Sequence, residues 1–452
     1  MKKLVKVAIT TLGCKVNQFE SASFATGFAE AGCELVPFSH AADVYVINTC
    51  TVTAKAGQQS RQLIRKAIQT NPDARIIVTG CYAQMAPDAI LDIVEHRACL
   101  VGNDYKHLIV DTALQEEQPE LVVLMGRISN QEEICLLPVR RFGGRTRTYL
   151  RIQDGCNNFC SYCIVPYTRG PSRSLSLEAI LKQTAIFSEE GYREMVITGI
   201  NVGKYGLDLD QGETIYSLLD RLCREFPQLR IRLSSIEPTE VNPSLLELIS
   251  RHANFMPHLH IPLQSGDDEV LRRMYRQYTV ASFREVIHQV HQAMPHGAIG
   301  CDVLGGFPGE TEAQAENTFQ TIADLPISYL HVFPYSKRPG TLASFFSDQI
   351  PGPVKNQRVK RLRTLDEQLR TSFYQSQLGS SQRVLVERRH TKSGLLQGFS
   401  ENYLPLHFNG PSALVHQIAS VRFDHIDNGQ PIGIIHDQLD ENNQETPLAK
   451  RS

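Results

Sequence analysis

Apolar positions along this chain follow two periods that take turns. Short β-branched runs at 5–10, 44–48 and 75–79 are each followed by a stretch with apolar residues every three or four places, at 18–31, 54–69 and 87–96. A period of two bounded by turns reads as a strand, and one near 3.6 as an amphipathic helix. Their alternation predicts a doubly wound α/β domain with a parallel sheet.

The alternation resumes from 149 to about 339, with strand runs at 149–153, 195–198, 229–234, 258–261, 300–304 and 329–334. Helical runs lie between them at 177–188, 214–224, 244–252, 283–294 and 312–324. Six βα units predict a partial barrel, with its active site at the carboxyl ends of the strands. Between the two regions, 105–145 reads as a linker with a little secondary structure, acidic at 115–120 and basic at 140–147. A charged amphipathic helix is expected over 351–378. Residues 383–435 carry short β-rich runs between Gly- and Asn-rich turns, the pattern of a small barrel. The expected division is 1–130, 145–375 and 380–438, with a polar, disordered tail at 439–452.

Composition changes the picture in two places. The net charge of −2 over 452 residues carries no nucleic-acid signature, so any RNA-binding face is a local patch. The eleven cysteines are odd in number and dispersed, which argues against a disulfide framework and for a reducing compartment, the cytoplasm. Lys6 interrupts the apolar N-terminus, which reads as a strand rather than a signal core. No apolar run reaches the roughly 18 residues of a membrane span.

The cysteines themselves carry the chemistry. Cys156, Cys160 and Cys163 follow the first strand of the second region with the spacing Cys-x3-Cys-x2-Cys. A cubane iron–sulfur cluster takes four ligands, so three thiolates leave one iron open. A structural zinc site would need a fourth Cys or His, and none lies in the next ten residues. Cys14, Cys50 and Cys81 each end one strand of the first region and precede its helix. In a parallel sheet those positions share one edge, so three thiols distant in sequence are expected to converge there. Each alone would read as a small buried hydrophobe. Cys33, Cys99, Cys135, Cys223 and Cys301 fit neither triad and read as packing.

The chain resembles the radical S-adenosylmethionine (SAM) methylthiotransferases. The resemblance rests on Cys156-Cys160-Cys163, on the N-terminal three-cysteine domain and on the terminal barrel, similar to a TRAM domain. The run Gly13-Cys14-Lys15-Val16-Asn17 is most similar to the MtaB type, which acts on N6-threonylcarbamoyladenosine at tRNA position 37. The types acting on isopentenyladenosine or on a ribosomal-protein aspartate carry Gln-Met-Asn or Pro-Lys-Asn after that cysteine. A non-catalytic electron carrier is the reading from another class, and two clusters each short of a ligand speak against it.

The resemblance implies two 4Fe-4S clusters, SAM, a tRNA anticodon stem-loop as partner, a reductant such as flavodoxin or ferredoxin, and no membrane. It names no sulfur donor and no catalytic residue beyond the cluster ligands. SAM cleaved at the second triad would yield the radical that takes hydrogen from C2 of the adenine, and the first triad would deliver methylthio. Gly199, Ser234, Glu237, Gln264, Gly305, Gly306, Gly309 and Glu310, at strand ends, are the expected SAM contacts. Arg169, Arg173, Arg388, Arg389, Lys392 and Tyr403 are the expected RNA contacts. Pro171 stands where relatives carry a cation, so a phosphate or cofactor contact is expected to be missing there.

Overall fold

The computed structural model describes residues 4–94, 98–115, 121–210 and 212–436. Strands β1 (Lys6–Thr11), β2 (Glu34–Val36), β3 (Val44–Thr49), β4 (Arg75–Gly80), β5 (Ala98–Val101) and β6 (Leu121–Leu124) form one sheet. Its order is β2-β1-β3-β4-β5-β6, and every pair is parallel. β3 and β4 are buried along their whole length, which is why they run apolar without alternation.

Helices cover both faces. α1 (Lys15–Glu30) and α5 (Ile109–Leu114) pack Phe19, Phe24, Phe28 and Ile109 on Val7, Val46 and Ile77. α2 (Ala54–Thr70) and α4 (Pro87–Val94) pack Ile64 and Ile90 on Tyr45, Ile47 and Val78. The short α3 (Cys81–Met85) follows β4 directly. Two expectations need correction. The little secondary structure expected in 105–145 is α5 and β6, and these belong to the first domain rather than to a linker, β6 being the edge strand of its sheet. α1 starts at Lys15, three residues before the expected point, because Cys14 in extended conformation is its N-cap. The end of the helix expected over 87–96, most of the acidic run and the tail from 437 lie outside the described residues.

The second region holds β7 (Thr148–Arg151), a two-residue ribbon of β8 (Gln153–Asp154) with β9 (Arg173–Ser174), then β10 (Glu194–Thr198), β11 (Arg230–Leu233), β12 (His258–His260), β13 (Ala298–Gly305) and β14 (Tyr329–Pro334). Two parallel sheets, β11-β10-β7 and β12-β13-β14, meet where Ile231 N–H donates to the Asn254 carbonyl at 2.8 Å and Met256 N–H to the Ile231 carbonyl at 2.8 Å. The result is the expected open six-strand arc. Helices α6 (Val165–Arg169), α7 (Leu177–Glu189), α8 (Ile215–Glu225), α9 (Pro243–Arg251), α10 (Asp268–Arg273), α11 (Val280–Ala293) and α12 (Glu312–Ala323) intervene. Thr214, Thr279 and Thr311 start three of them with reciprocal capping boxes.

Alternation divides the strands of the arc. Ile197, Ile231, Leu259 and Ile299 face the helices, against Phe187, Leu218, Leu245 and Ile287. The opposite face is polar: Glu194, Arg232, His258, His260, Asp302 and Tyr329 line the lumen.

Helix α13 (Gly352–Ser376) leads to β15 (Ser381–Arg389), β16 (Leu396–Phe399), β17 (Pro405–Phe408), β18 (Ile418–Asp427) and β19 (Gln430–Ile435), a closed barrel in the order β15-β16-β17-β19-β18. Val384, Leu406, Phe408 and Phe423 fill it. It docks beneath the arc, where Arg232 donates to the Ser400 and Glu401 carbonyls at 3.2 and 3.1 Å. No helix among the described residues is long and apolar enough to cross a membrane.

Candidate active site between two cysteine triads

β1, β3 and β4 are neighbours in the sheet, so their carboxyl ends put Cys14, Cys50 and Cys81 side by side. Gly80 makes the fit possible. It sits at φ +95°, and a Cβ there would fall 2.3 Å from the Thr49 carbonyl oxygen, so only glycine allows β3 and β4 to converge this closely. Asn17, one turn into α1, ties the loops together. Its amide nitrogen donates to the Leu12 and Thr49 carbonyls at 2.8 and 3.0 Å, and its oxygen lies 3.8 Å from Cys14 Sγ.

The second triad occupies the loop after β8. Gly155, at φ +75°, lets that loop turn against the Pro171 carbonyl, which a Cβ would meet at 1.8 Å. Cys163 N–H donates to the Cys160 carbonyl at 2.9 Å. Arg276, buried on Glu237, points Nη1 at Cys160 Sγ at 3.3 Å.

A hydrogen-bonded chain joins the two sites. Arg169 Nη2 donates to Asn17 Oδ1 at 2.5 Å, and its Nη1 to Glu20 at 3.0 Å and Asp154 at 2.9 Å. Asp154 in turn accepts from Gly155 N–H at 2.9 Å, one residue before Cys156. Each triad is therefore anchored to the other through one buried guanidinium.

The residues fit iron–sulfur clusters. All eleven cysteines are free. Burial pushes the Cys50 and Cys163 thiols up to about 12, with neighbouring thiols adding to it. Thiols buried and crowded in this way stay neutral by themselves and would ionise on binding a polycationic centre. Neither triad closes to single-ion spacing. Among the described residues, three such donors lie within 4.8 Å of one another only at His260, Asp302 and His331. Asn201, buried, turns its side-chain amide to the Cys156 thiol and has no other hydrogen-bond partner among the described residues, a polar group with capacity left for a cofactor.

The structure sorts the other expected residues. Gly199 lies against Gln153, whose Oε1 accepts from Ile200 and Asn201 N–H at 3.0 and 2.8 Å. Ser234, buried, and Gln264, at φ +63°, sit at strand ends of the arc. Glu237 is turned to Arg276. The loop after β13 is placed otherwise than expected. Gly305 and Gly306 lie against Val359 and Lys355 of α13, and Gly309 against Arg273 and Asp348. Glu310 accepts from Gly306 N–H at 2.9 Å and pairs with Arg358 at 2.8 Å. Its carboxylate is engaged within the fold.

Among the expected RNA contacts, Arg169 and Arg173 are buried. Arg169 holds carboxylates, and Arg173 donates to the Arg169, Pro171 and Glu133 carbonyls. Neither is presented to a phosphate. Tyr403 stacks between His258 and Phe399 at 4.6 and 4.7 Å, with Arg147 and Arg232 over its ring, so it serves docking. Arg388 and Lys392 are exposed on the terminal barrel, while Arg389 is held by the Gly394 and Gly410 carbonyls. Sequence reasoning passed over Gln153, Arg276 and Asn17, because no spacing rule marks a residue whose partners are distant.

A model of the radical SAM superfamily matches residues 150–322, and one described as Uncharacterized protein family UPF0004 matches residues 6–102. The Threonylcarbamoyladenosine tRNA methylthiotransferase MtaB of Bacillus subtilis (strain 168) is 38% identical over 97% of this chain and 99% of its own length. That of Aquifex aeolicus (strain VF5) is 38% identical over 90% and 97%. A tRNA-2-methylthio-N(6)-dimethylallyladenosine synthase of Methylobacillus flagellatus is 32% identical over 92% and 96%. Among solved structures, the radical S-adenosylmethionine methyltransferase TsrM from Kitasatospora setae superposes with a TM-score of 0.55 at 14% identity, covering 76% of this chain and 77% of that one. This last likeness concerns the fold alone. Two anchored cysteine triads and near full-length identity converge on one conclusion: the chain belongs to the methylthiotransferase family of radical SAM enzymes.

Proposed function

We propose that the protein transfers a methylthio group to C2 of N6-threonylcarbamoyladenosine at position 37 of tRNA, in the cytoplasm. The observation that carries this reading is the 38% identity to the Bacillus subtilis MtaB enzyme along 97% of the chain. Isopentenyladenosine is the competing substrate, supported by the lower 32% identity to the dimethylallyladenosine synthase. The proposed division of labour is 1–130 for the first triad, 145–375 for SAM chemistry and 380–438 for RNA.

Cys14, Cys50 and Cys81 would hold one 4Fe-4S cluster, and Cys156, Cys160 and Cys163 the other. With SAM bound, the second supplies reductive cleavage to a carbon radical, driven by a donor such as flavodoxin or ferredoxin. The chain's own residues orient and shield. Arg169 fixes the spacing of the triads. Arg276 places positive charge on Cys160 Sγ, which favours the reduced state. Gln153 clamps the β10 turn so that Asn201 faces Cys156. Arg388 and Lys392, both exposed on the terminal barrel, would meet the backbone of the anticodon stem-loop.

Mass spectrometry of tRNA nucleosides from cells with and without the gene tests the reading. Loss of 2-methylthio-N6-threonylcarbamoyladenosine with a rise of its precursor is expected. Loss of the isopentenyl product instead would overturn it.

A further inference from the structure

Where the first domain meets the arc, the surface opens into a groove of about 410 Å³. One wall is the first turns of α2 with α3, carrying Arg61 and Tyr82, and the other is the segment after β14, carrying Lys337 and Arg338. The two walls are tied together. Ala54 N–H at the start of α2 donates to the Ser336 hydroxyl at 3.0 Å, and Arg338 Nη2 donates to the Thr51 hydroxyl at 2.7 Å. Thr51 and Tyr82 directly follow Cys50 and Cys81 in sequence, so the groove borders the first triad.

Among the described residues, three cations line this groove and no carboxylate does. Elsewhere at the junction the arginines are matched: Arg169 holds Glu20 and Asp154, and Arg276 holds Glu237. Here Arg61, half-buried, spends one N–H on the Tyr82 hydroxyl at 2.7 Å. Lys337 is exposed on the rim. Arg338 is 8% exposed, and its Nε is buried with no partner. A buried guanidinium without a counter-charge is costly until an anion arrives. Its planar fork of N–H donors matches the oxygens of a phosphate.

Size and position favour a polymer phosphate over a free small ion. A water molecule occupies about 30 Å³ of the liquid, so an ion of similar size, such as hydrosulfide, would leave most of the groove empty. A phosphodiester with its flanking sugars would fill it, and Lys337 at the rim would meet the continuing backbone. We propose that this groove binds a backbone phosphate of the substrate RNA beside the nucleotide to be modified, with Arg338 as its principal donor, and so holds that nucleotide next to the first triad. The inference rests on the tRNA substrate proposed above and adds a phosphate site far from the terminal barrel.

The test measures binding rather than turnover, by fluorescence anisotropy with reconstituted full-length holoenzyme and anticodon stem-loop RNAs. Each RNA carries one neutral methylphosphonate at a linkage near position 37. Wild type is expected to lose about 10- to 100-fold in affinity at one linkage beside that position, the range of a charged hydrogen bond. Arg338→Gln should bind the unmodified RNA more weakly by about that factor and be indifferent to the same methylphosphonate. Lys337→Gln removes an exposed side chain, so it tests the groove without risk to the fold, and it should lower the salt slope of binding by about one. No sensitive linkage near position 37, or a linkage effect that persists undiminished in Arg338→Gln, overturns the inference. So does a Lys337→Gln variant with an unchanged salt slope. Variants that bind RNA as wild type does, yet need more hydrosulfide to form product, would assign the groove to a small anion and overturn it as well. Wild type that binds no stem-loop overturns the underlying function instead.

Discussion

Arg169 and Glu20 stand 149 positions apart in the chain, and their charged groups lie 3.0 Å apart with each side chain 1% exposed. The guanidinium also holds Asp154 beside the second triad and Asn17 beside the first. It fixes the geometry of a junction that must bring two cysteine sites together.

Arg169→Met should therefore do more than lower activity. It leaves Glu20 and Asp154 buried with fewer counter-charges, a change that costs about 3–5 kcal/mol. Urea denaturation followed by circular dichroism should show that loss. Adding Glu20→Gln should recover part of it, because one uncompensated carboxylate is removed.

The same cluster sets the response to acid. Arg169 holds the Glu20 and Asp154 carboxyls below their usual range, against burial, which alone would raise them. Burial pushes Lys106 down despite its pairing with Glu20, so the permanently charged guanidinium is the dependable partner. A depressed carboxyl pKa contributes stability that is complete above the unfolded value, about 4, and is lost as pH falls below it. Urea midpoints should be flat from neutral pH to about 5 and decline below about 4. Glu20→Gln should make that decline shallower.

The triads should separate in function. Cys81→Ala should remove about half the iron and abolish methylthio product, while reductive SAM cleavage persists. Cys160→Ala should abolish SAM cleavage itself. Iron analysis with chromatography of deoxyadenosine and of the RNA product distinguishes the two patterns.

Arg276 should tune the second site. Its Nη1 lies 3.3 Å from Cys160 Sγ, and positive charge on a ligand sulfur raises the reduction potential. Arg276→Leu should shift that cluster to a more negative potential in a titration followed by electron paramagnetic resonance. An unchanged potential would show that the arginine serves Glu237 alone.

Tyr403→Ala should loosen the terminal barrel. The ring loses its stacks on His258 and Phe399 and its cation contacts with Arg147 and Arg232. Aromatic and cation–π contacts of this kind are worth about 1–3 kcal/mol together. Limited proteolysis should then cut faster in the connection between α13 and β15.

Hydrophobic periodicity alone was enough to place the parallel sheet, the six-strand arc and the terminal barrel, because each depends on local apolar spacing. Both triads were legible too: one from its spacing, the other because cysteines at strand ends of a parallel sheet must share an edge. Short or exposed strands such as β2 and β6 carry too little pattern to be read, since their partners supply what their own residues lack. Tertiary structure alone decided the destinations of the charged residues. Arg169, Arg173 and Glu310 look in sequence like groups waiting for a phosphate or a cofactor, yet the fold consumes them. The physical reason is range: apolar burial is encoded by neighbours along the chain, whereas a buried charge is settled by whichever opposite charge the completed fold brings within about 3–4 Å.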